Sequence, residues 1–244
     1  MKKLTQDCIG WIRGWFEQNG PRCTAVLGMS GGKDSTVAAA LCAQALGPDR
    51  VLGISMPAEG QGLNDADEIC EFLGIRYLCL PIGRIEAECD ALGALMPGGE
   101  FSLQSIQNIP PRIRMTVLYA AAQSCNGMVA NTCNLSEDYI GYATIYGDAA
   151  GSFAPLGGLV VREVLEIGHD LGIPSRWVEK TPDDGLPGSC PDEVKIGFTY
   201  AALDRYIREG VCEDEEVKAK IDSLHRRNLF KTEILHIPTF IPEL

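Results

Sequence analysis

Apolar residues recur at helical spacing from the start of the chain: Leu4, Cys8, Trp11, Ile12, Trp15 and Phe16 fall on one face. That face ends at Asn19-Gly20-Pro21, a helix stop. Beyond it, short apolar runs alternate with longer amphipathic stretches. The pattern predicts strands at Ala25–Gly28, Val51–Met56, Arg76–Ile82 and Met128–Asn131. It predicts helices at Thr36–Leu46, Asn64–Leu73, Ile85–Leu95, Ile113–Cys125, Val161–Leu171 and Glu193–Arg208. Strand and helix units in alternation imply an α/β fold, a parallel sheet with helices on both faces. Neither a repeat nor a linker divides the chain, so residues 1–244 are expected to form a single domain.

In such a sheet, ligands sit beyond the carboxyl ends of the strands, where strand order reverses. Two segments occupy strand ends of that kind. Asn131-Thr132 is one. The other is Ser30-Gly31-Gly32-Lys33-Asp34-Ser35, between the apolar run ending at Gly28-Met29 and the helix from Thr36. Adjacent glycines allow a tight turn and a close approach of backbone N–H groups to a ligand, and the helix start behind them favours an anion. Ser30 and Ser35 supply hydroxyl donors, Lys33 a cation, and Asp34 an oxygen ligand for a hard metal. The turn reads as a phosphate cradle with a magnesium handle. The G-x-x-x-x-G-K-[ST] and G-x-G-x-x-G patterns both fail here, because Lys33 is followed by Asp34 and the glycine spacing differs.

Composition narrows the partners. A net charge of −12 leaves few cations to neutralise a nucleic-acid backbone, so a polyanionic macromolecule is disfavoured. The ten cysteines are scattered, without a C-x-x-C pair or metal spacing, and Cys42, Cys70 and Cys125 fall on apolar helix faces as small hydrophobes. No apolar run approaches a membrane span, and the first twenty residues read as an amphipathic helix rather than a leader. The expected setting is the cytoplasm, with reduced thiols. Residues 181–191, rich in glycine and proline, read as a surface loop, either a connector or a lid over the site. The acidic run Glu213–Glu216 reads as a solvated helix start, and His169, His225 and His236 as structural, having no nucleophile pattern around them.

The turn at 30–35 looks like the signature loop of the ATP pyrophosphatases. Further segments match in order: Asn108-Ile-Pro-Pro-Arg112-Ile-Arg114, opening a helix; Asn131-Thr132-Cys-Asn-Leu-Ser136-Glu137; Gly141-Tyr142 through Asp148; Lys180 through Leu186; and Gly197-Phe-Thr-Tyr200. Together they resemble the ammonia-dependent NAD synthetases over about residues 5 to 240. The resemblance implies a Rossmann-like, adenine nucleotide alpha hydrolase-like fold without a glutaminase domain. It implies amidation of nicotinic acid adenine dinucleotide (deamido-NAD) with ammonia and ATP, giving NAD, AMP and pyrophosphate through an acyl adenylate. By motif match, Gly28, Met29, Ser30, Gly31, Gly32, Lys33, Asp34, Ser35 and Thr132 contact ATP, with Ser30, Lys33 and Asp34 nearest the chemistry. Asp34 and Glu137 match magnesium ligands, and Arg112 and Lys231 match contacts to the dinucleotide. A homodimer is also implied, and the helices at Ile85–Leu95 and Ile113–Cys125 carry more apolar positions than one sheet face needs.

The chain departs from the family pattern at several places. Ile145 and Val161 stand where lysines are usual, Ser152 where an aspartate is usual, and Asp183 where a serine or threonine is usual. Phe230-Lys231 aligns best with the family's His-Lys pair, and His225-Arg226 is the second candidate for it. Lost cations remove charge-assisted hydrogen bonds to phosphate. Two alternatives therefore stay open: an ATP pyrophosphatase that activates a different substrate, and a nucleotide-binding relative without catalysis.

Overall fold

The computed structural model describes residues 1–59, 65–180, 192–234 and 237–242. The stretch 181–191, with Asp183 and Cys190, lies outside the described residues, as do Asn64 and His236.

Strands β1 (Thr24–Gly28), β2 (Val51–Ser55), β3 (Arg76–Cys79) and β4 (Gly127–Val129) form one parallel sheet in the order β3-β2-β1-β4. Register pairs Val26 with Leu52 and with Val129, and Gly53 with Tyr77. Because strand side chains alternate, Ala25 and Leu27 enter one core and Val26 the other. The first core packs beneath α1 (Lys3–Asn19), α2 (Lys33–Leu46), α3 (Ala66–Leu73), α7 (Val161–Asp170) and α8 (Ser175–Val178), through Ile12, Phe16, Leu41, Ile69, Ile167 and Trp177. The second packs under α4 (Gly83–Ala91) and α5 (Leu103–Ser124), through Ile54, Ile82, Ile113 and Ala122. A third cluster joins α6 (Leu135–Ile140), α7, α9 (Asp192–Ile196), α10 (Tyr200–Glu209) and α11 (Glu215–Ile234) around Ile140, Leu203 and Ile221.

Chain order runs from β1 outward to β3 and then returns to place β4 on the opposite side of β1. The switch point of the sheet therefore lies between the carboxyl ends of β1 and β4, where the two motif loops leave it.

Several boundaries differ from the periodicity. The strand from Arg76 ends at Cys79, yet Leu80 N and Ile82 N still donate to Ser55 O and Pro57 O, so the chain stays alongside β2. At β4 the chain leaves β1 early, and Asn131 N turns to Phe153 O at 2.8 Å. The helix expected to open at Asn108 starts at Leu103, where Ser102 Oγ caps the Ser105 amide. Pro110 and Pro111 lie inside it and remove two amide donors without ending it. The helix expected over Glu193–Arg208 is two helices, α9 and α10. Gly197 at φ +78° breaks the first, and Thr199 Oγ1 caps the second by accepting from Ala202 N. The nine described cysteines are free thiols, and burial pushes Cys42 and Cys70 up to about 12, so these two pack as inert hydrophobes. Among the described residues no helix is long and apolar enough to cross a membrane.

Candidate functional site

The turn after β1 is built around its own backbone. Of its two glycines, only Gly31 needs the left-handed region, at φ +77°. Ser30 Oγ accepts from Gly32 N at 3.3 Å, and Ser35 and Thr36 hydroxyls donate to Gly32 O at 3.1 and 2.8 Å. Ser30 and Ser35 hydroxyls lie 3.2 Å apart. These bonds hold the first turn of α2 so that its amides face out of the sheet end beside exposed Ser30. Gly28 and Met29 tie the turn to the sheet, with Met29 N bonded to Ile54 O at 2.8 Å.

Lys33 and Asp34 open α2, and the Lys33 ammonium, almost fully buried, bonds Asp34 Oδ2 at 2.8 Å. Burial alone would lower the lysine, but the carboxylates of Asp34, Glu137 and Asp192 hold it above its ordinary value. The loop after β4 supplies the other half. Asn134 Oδ1 accepts from Glu137 N, Glu137 Oε2 accepts from Asn134 N, and the pair forms a capping box for α6. The same Asn134 side chain donates Nδ2–H to Asp34 Oδ1 at 3.0 Å. Glu137 is thereby brought against Asp34, and burial first, then the Asp34 charge, push its carboxyl well up. A buried carboxyl held beside a second acid suits a hard divalent cation, which Asp34 and Glu137 together would hold. Among the described residues no cluster of three or more acid, histidine or cysteine ligands is found.

Two other groups face this centre. Tyr200, at the start of α10, lays its ring under Lys33, with Nζ 5.8 Å from the ring centroid. Tyr142 donates to Asp192 Oδ1 at 2.9 Å.

The remaining assigned residues are Thr132, Arg112 and Lys231. Thr132 is half-buried at the end of β4. Arg112, exposed on α5, donates from Nε to Ile145 O at 3.2 Å. Lys231 on α11 donates to Gly141 O and Ala143 O at 2.7 and 3.0 Å, and burial lowers its ammonium against the opposing pull of Asp148. Lys231 lines a cavity of about 350 Å³ between α6 and α11, with Asn131, Asp138, His225 and Thr239. That cavity is lined in part by α6, the helix that carries Glu137.

At the positions of the family's missing cations, Ile145 offers its carbonyl to Arg112, and Val161 is buried with its amide on Ser136 Oγ at 3.2 Å. Asn134 and Tyr200 belong to motifs noted in the sequence but carried no assigned role. The N-x-x-E spacing of Asn134 and Glu137 is the signal that finds the first. Nothing in the local pattern separates Tyr200 from a core aromatic.

The NAD synthase family model matches residues 4–237. An NH3-dependent NAD+ synthetase of Archaeoglobus fulgidus is 36% identical over 240 residues, covering 96% of this chain and 95% of that one. Among solved structures, an NMN synthetase from Francisella tularensis superposes with a TM-score of 0.87 at 30% identity, covering 98% of each chain. An NH3-dependent NAD synthetase from Campylobacter jejuni gives 0.75 at 28% identity, covering 100% of this chain and 99% of that one. These neighbours carry the adenine nucleotide alpha hydrolase fold. By that match and that fold, the chain belongs to the NAD synthase family, ligases that form a C–N bond.

Proposed function

We propose that this protein uses ATP and ammonia to amidate the nicotinate carboxyl group of deamido-NAD, releasing NAD, AMP and pyrophosphate. The observation that carries this reading is the junction of Lys33, Asp34, Asn134 and Glu137 at the switch point.

A carboxylate is a poor electrophile, so one of its oxygens first attacks the α phosphorus of ATP. The bond from that phosphorus to the bridging oxygen breaks, and pyrophosphate leaves with the electron pair. The amides of residues 30–35, the N-terminus of α2 and the Lys33 ammonium face the charge gathering on the leaving diphosphate. Asp34 and Glu137 would hold magnesium, which supplies further charge neutralisation there. Ammonia then attacks the acyl carbon, AMP departs, and the nitrogen loses a proton to give the amide. In this reading Thr132, in the loop after β4, meets the nucleotide, and Arg112 and Lys231 meet the dinucleotide. The α6–α11 cavity that Lys231 lines supports that role. The resemblance and the apolar surface of α4 and α5 support a homodimer, and the composition supports a cytoplasmic protein.

A second reading keeps the chemistry and shortens the substrate to nicotinic acid mononucleotide. It is favoured by the higher TM-score of the Francisella NMN synthetase, 0.87 against 0.75. Steady-state kinetics with both acids decide between them. A kcat/KM at least tenfold higher for deamido-NAD supports the first reading; the reverse order supports the second. Turnover of neither acid removes both.

A further inference from the structure

Among the described residues, two buried side-chain polar atoms lack a hydrogen-bond partner: Glu86 Oε1 on α4 and the Tyr200 hydroxyl. The second stands at the centre described above. Its ring packs with Ile140, Val161, Phe198 and Leu203 in the third cluster, where phenylalanine would serve the packing equally well. The oxygen, by contrast, is desolvated with no bond in return, an arrangement that disfavours folding unless something else meets it. Burial first, then the carboxylates of Glu137, Asp192 and Asp34, push this phenol up, and a phenol hydroxyl is a hydrogen-bond donor. None of those carboxylates is bonded to it. Lys33, above the ring, is already engaged with Asp34. No described residue meets this hydroxyl, and an anionic oxygen entering the turn between β1 and α2 would accept from it.

We propose that Tyr200 is a further substrate-contacting residue, its hydroxyl donating a hydrogen bond to a phosphate oxygen of the bound nucleoside triphosphate. The proposal rests on the reading that the 28–35 turn holds ATP phosphates. It explains why a buried position at the start of α10 carries an oxygen, and it gives α10 a direct part in nucleotide capture. Ring and hydroxyl then divide the work: the ring backs Lys33 and the oxygen reaches the ligand.

The test is Tyr200→Phe, which removes one oxygen and keeps the ring. Calorimetric titration with magnesium and α,β-methylene-ATP, which cannot split between its first two phosphorus atoms, reads the contact without turnover. Tyr200→Phe is expected to weaken that binding about tenfold or more, the loss of one hydrogen bond to a charged acceptor. Its melting temperature without nucleotide is expected to equal or exceed that of the parent, because an unpaired buried hydroxyl has gone. Equal affinity for the two proteins overturns the assignment of Tyr200 and leaves the cradle reading intact. A lower melting temperature without nucleotide also overturns it, by showing that the oxygen serves the fold. Failure of the unaltered protein to bind the analogue overturns the cradle reading and this proposal together.

Discussion

Asn134 donates its side-chain amide to Asp34 Oδ1 at 3.0 Å, joining two strand ends that lie 100 residues apart in sequence. The same residue caps α6 through Glu137 N. One side chain thus sets both the start of a helix and the distance between two carboxylates. Replacing it with alanine removes both bonds and is expected to cost about 1–2 kcal/mol of stability. Asn134→Ser keeps a capping oxygen but is too short to reach Asp34. Denaturant unfolding should place the serine variant within about 0.5 kcal/mol of the parent, while its magnesium requirement for pyrophosphate release rises as it does in the alanine variant. A serine variant with unchanged magnesium dependence would show that the Asp34 bond does not order the site.

Glu137→Gln removes a charge that burial and Asp34 both disfavour. Its unfolding midpoint is expected to match or exceed that of the parent. The magnesium concentration giving half-maximal pyrophosphate release should rise by about tenfold or more, since a carboxamide is the weaker ligand for a hard cation. The readout is a magnesium titration, and an unshifted midpoint removes the metal role of Glu137.

How much of this was legible in the sequence follows from the range of each signal. Hydrophobic period alone locates α1, whose face from Leu4 to Phe16 becomes the buried face observed. The glycine turn is an equally local signal, which is why its place between β1 and α2 was readable. Helix ends fixed by a single cap or glycine were misplaced. Pro110 and Pro111 resemble an N-terminus, yet the Ser102 cap starts α5 a full turn and more earlier. Gly197 interrupts an apolar period that otherwise runs on. Contacts that depend on topology were out of reach: no local rule pairs Asn134 with Asp34 or leaves the Tyr200 hydroxyl unbonded.

Arg208 on α10 makes a two-point ion pair with Glu163 on α7, Nε to Oε1 at 2.9 Å and Nη2 to Oε2 at 2.6 Å, with both side chains largely buried. Glu163 Oε2 also accepts from Val160 N, and Arg208 bonds Gly158 O. Arg208→Ala leaves a buried carboxylate uncompensated and is expected to cost about 3–5 kcal/mol, measured by urea unfolding. A loss below about 1 kcal/mol would place this pair with ordinary surface ion pairs.

Asp170 accepts hydrogen bonds from Thr5 and from Lys2 N, and these hold its carboxyl below the ordinary value of 3.8. A depressed value in the folded state gives stability that is present above pH 3.8 and is lost as pH falls through the lower, folded-state value. Asp170→Asn should therefore melt below the parent at pH 7, and the two curves should converge as pH is lowered past 3.8. A gap that stays constant down to pH 2 would deny the linkage.

Leu95 and Leu103 are 81% and 71% exposed, and Ile85, Leu92, Met96 and Ile106, in the same stretch from α4 to the start of α5, are exposed as well. If this surface is the dimer contact, light scattering at about 10 μM should give twice the chain mass for the parent. The double substitution Leu95→Asp with Leu103→Asp should give the single-chain mass. A parent that scatters as a monomer contradicts the homodimer.

The site at the sheet's switch point stands or falls on which phosphorus–oxygen bond is cut. The direct measurement is phosphorus NMR of the protein incubated with ATP, magnesium, ammonium and deamido-NAD. The expected products are AMP, pyrophosphate and NAD in equal amounts, with no pyrophosphate when the acid is omitted. Release of ADP and inorganic phosphate, or pyrophosphate formed without any acid present, would contradict the account.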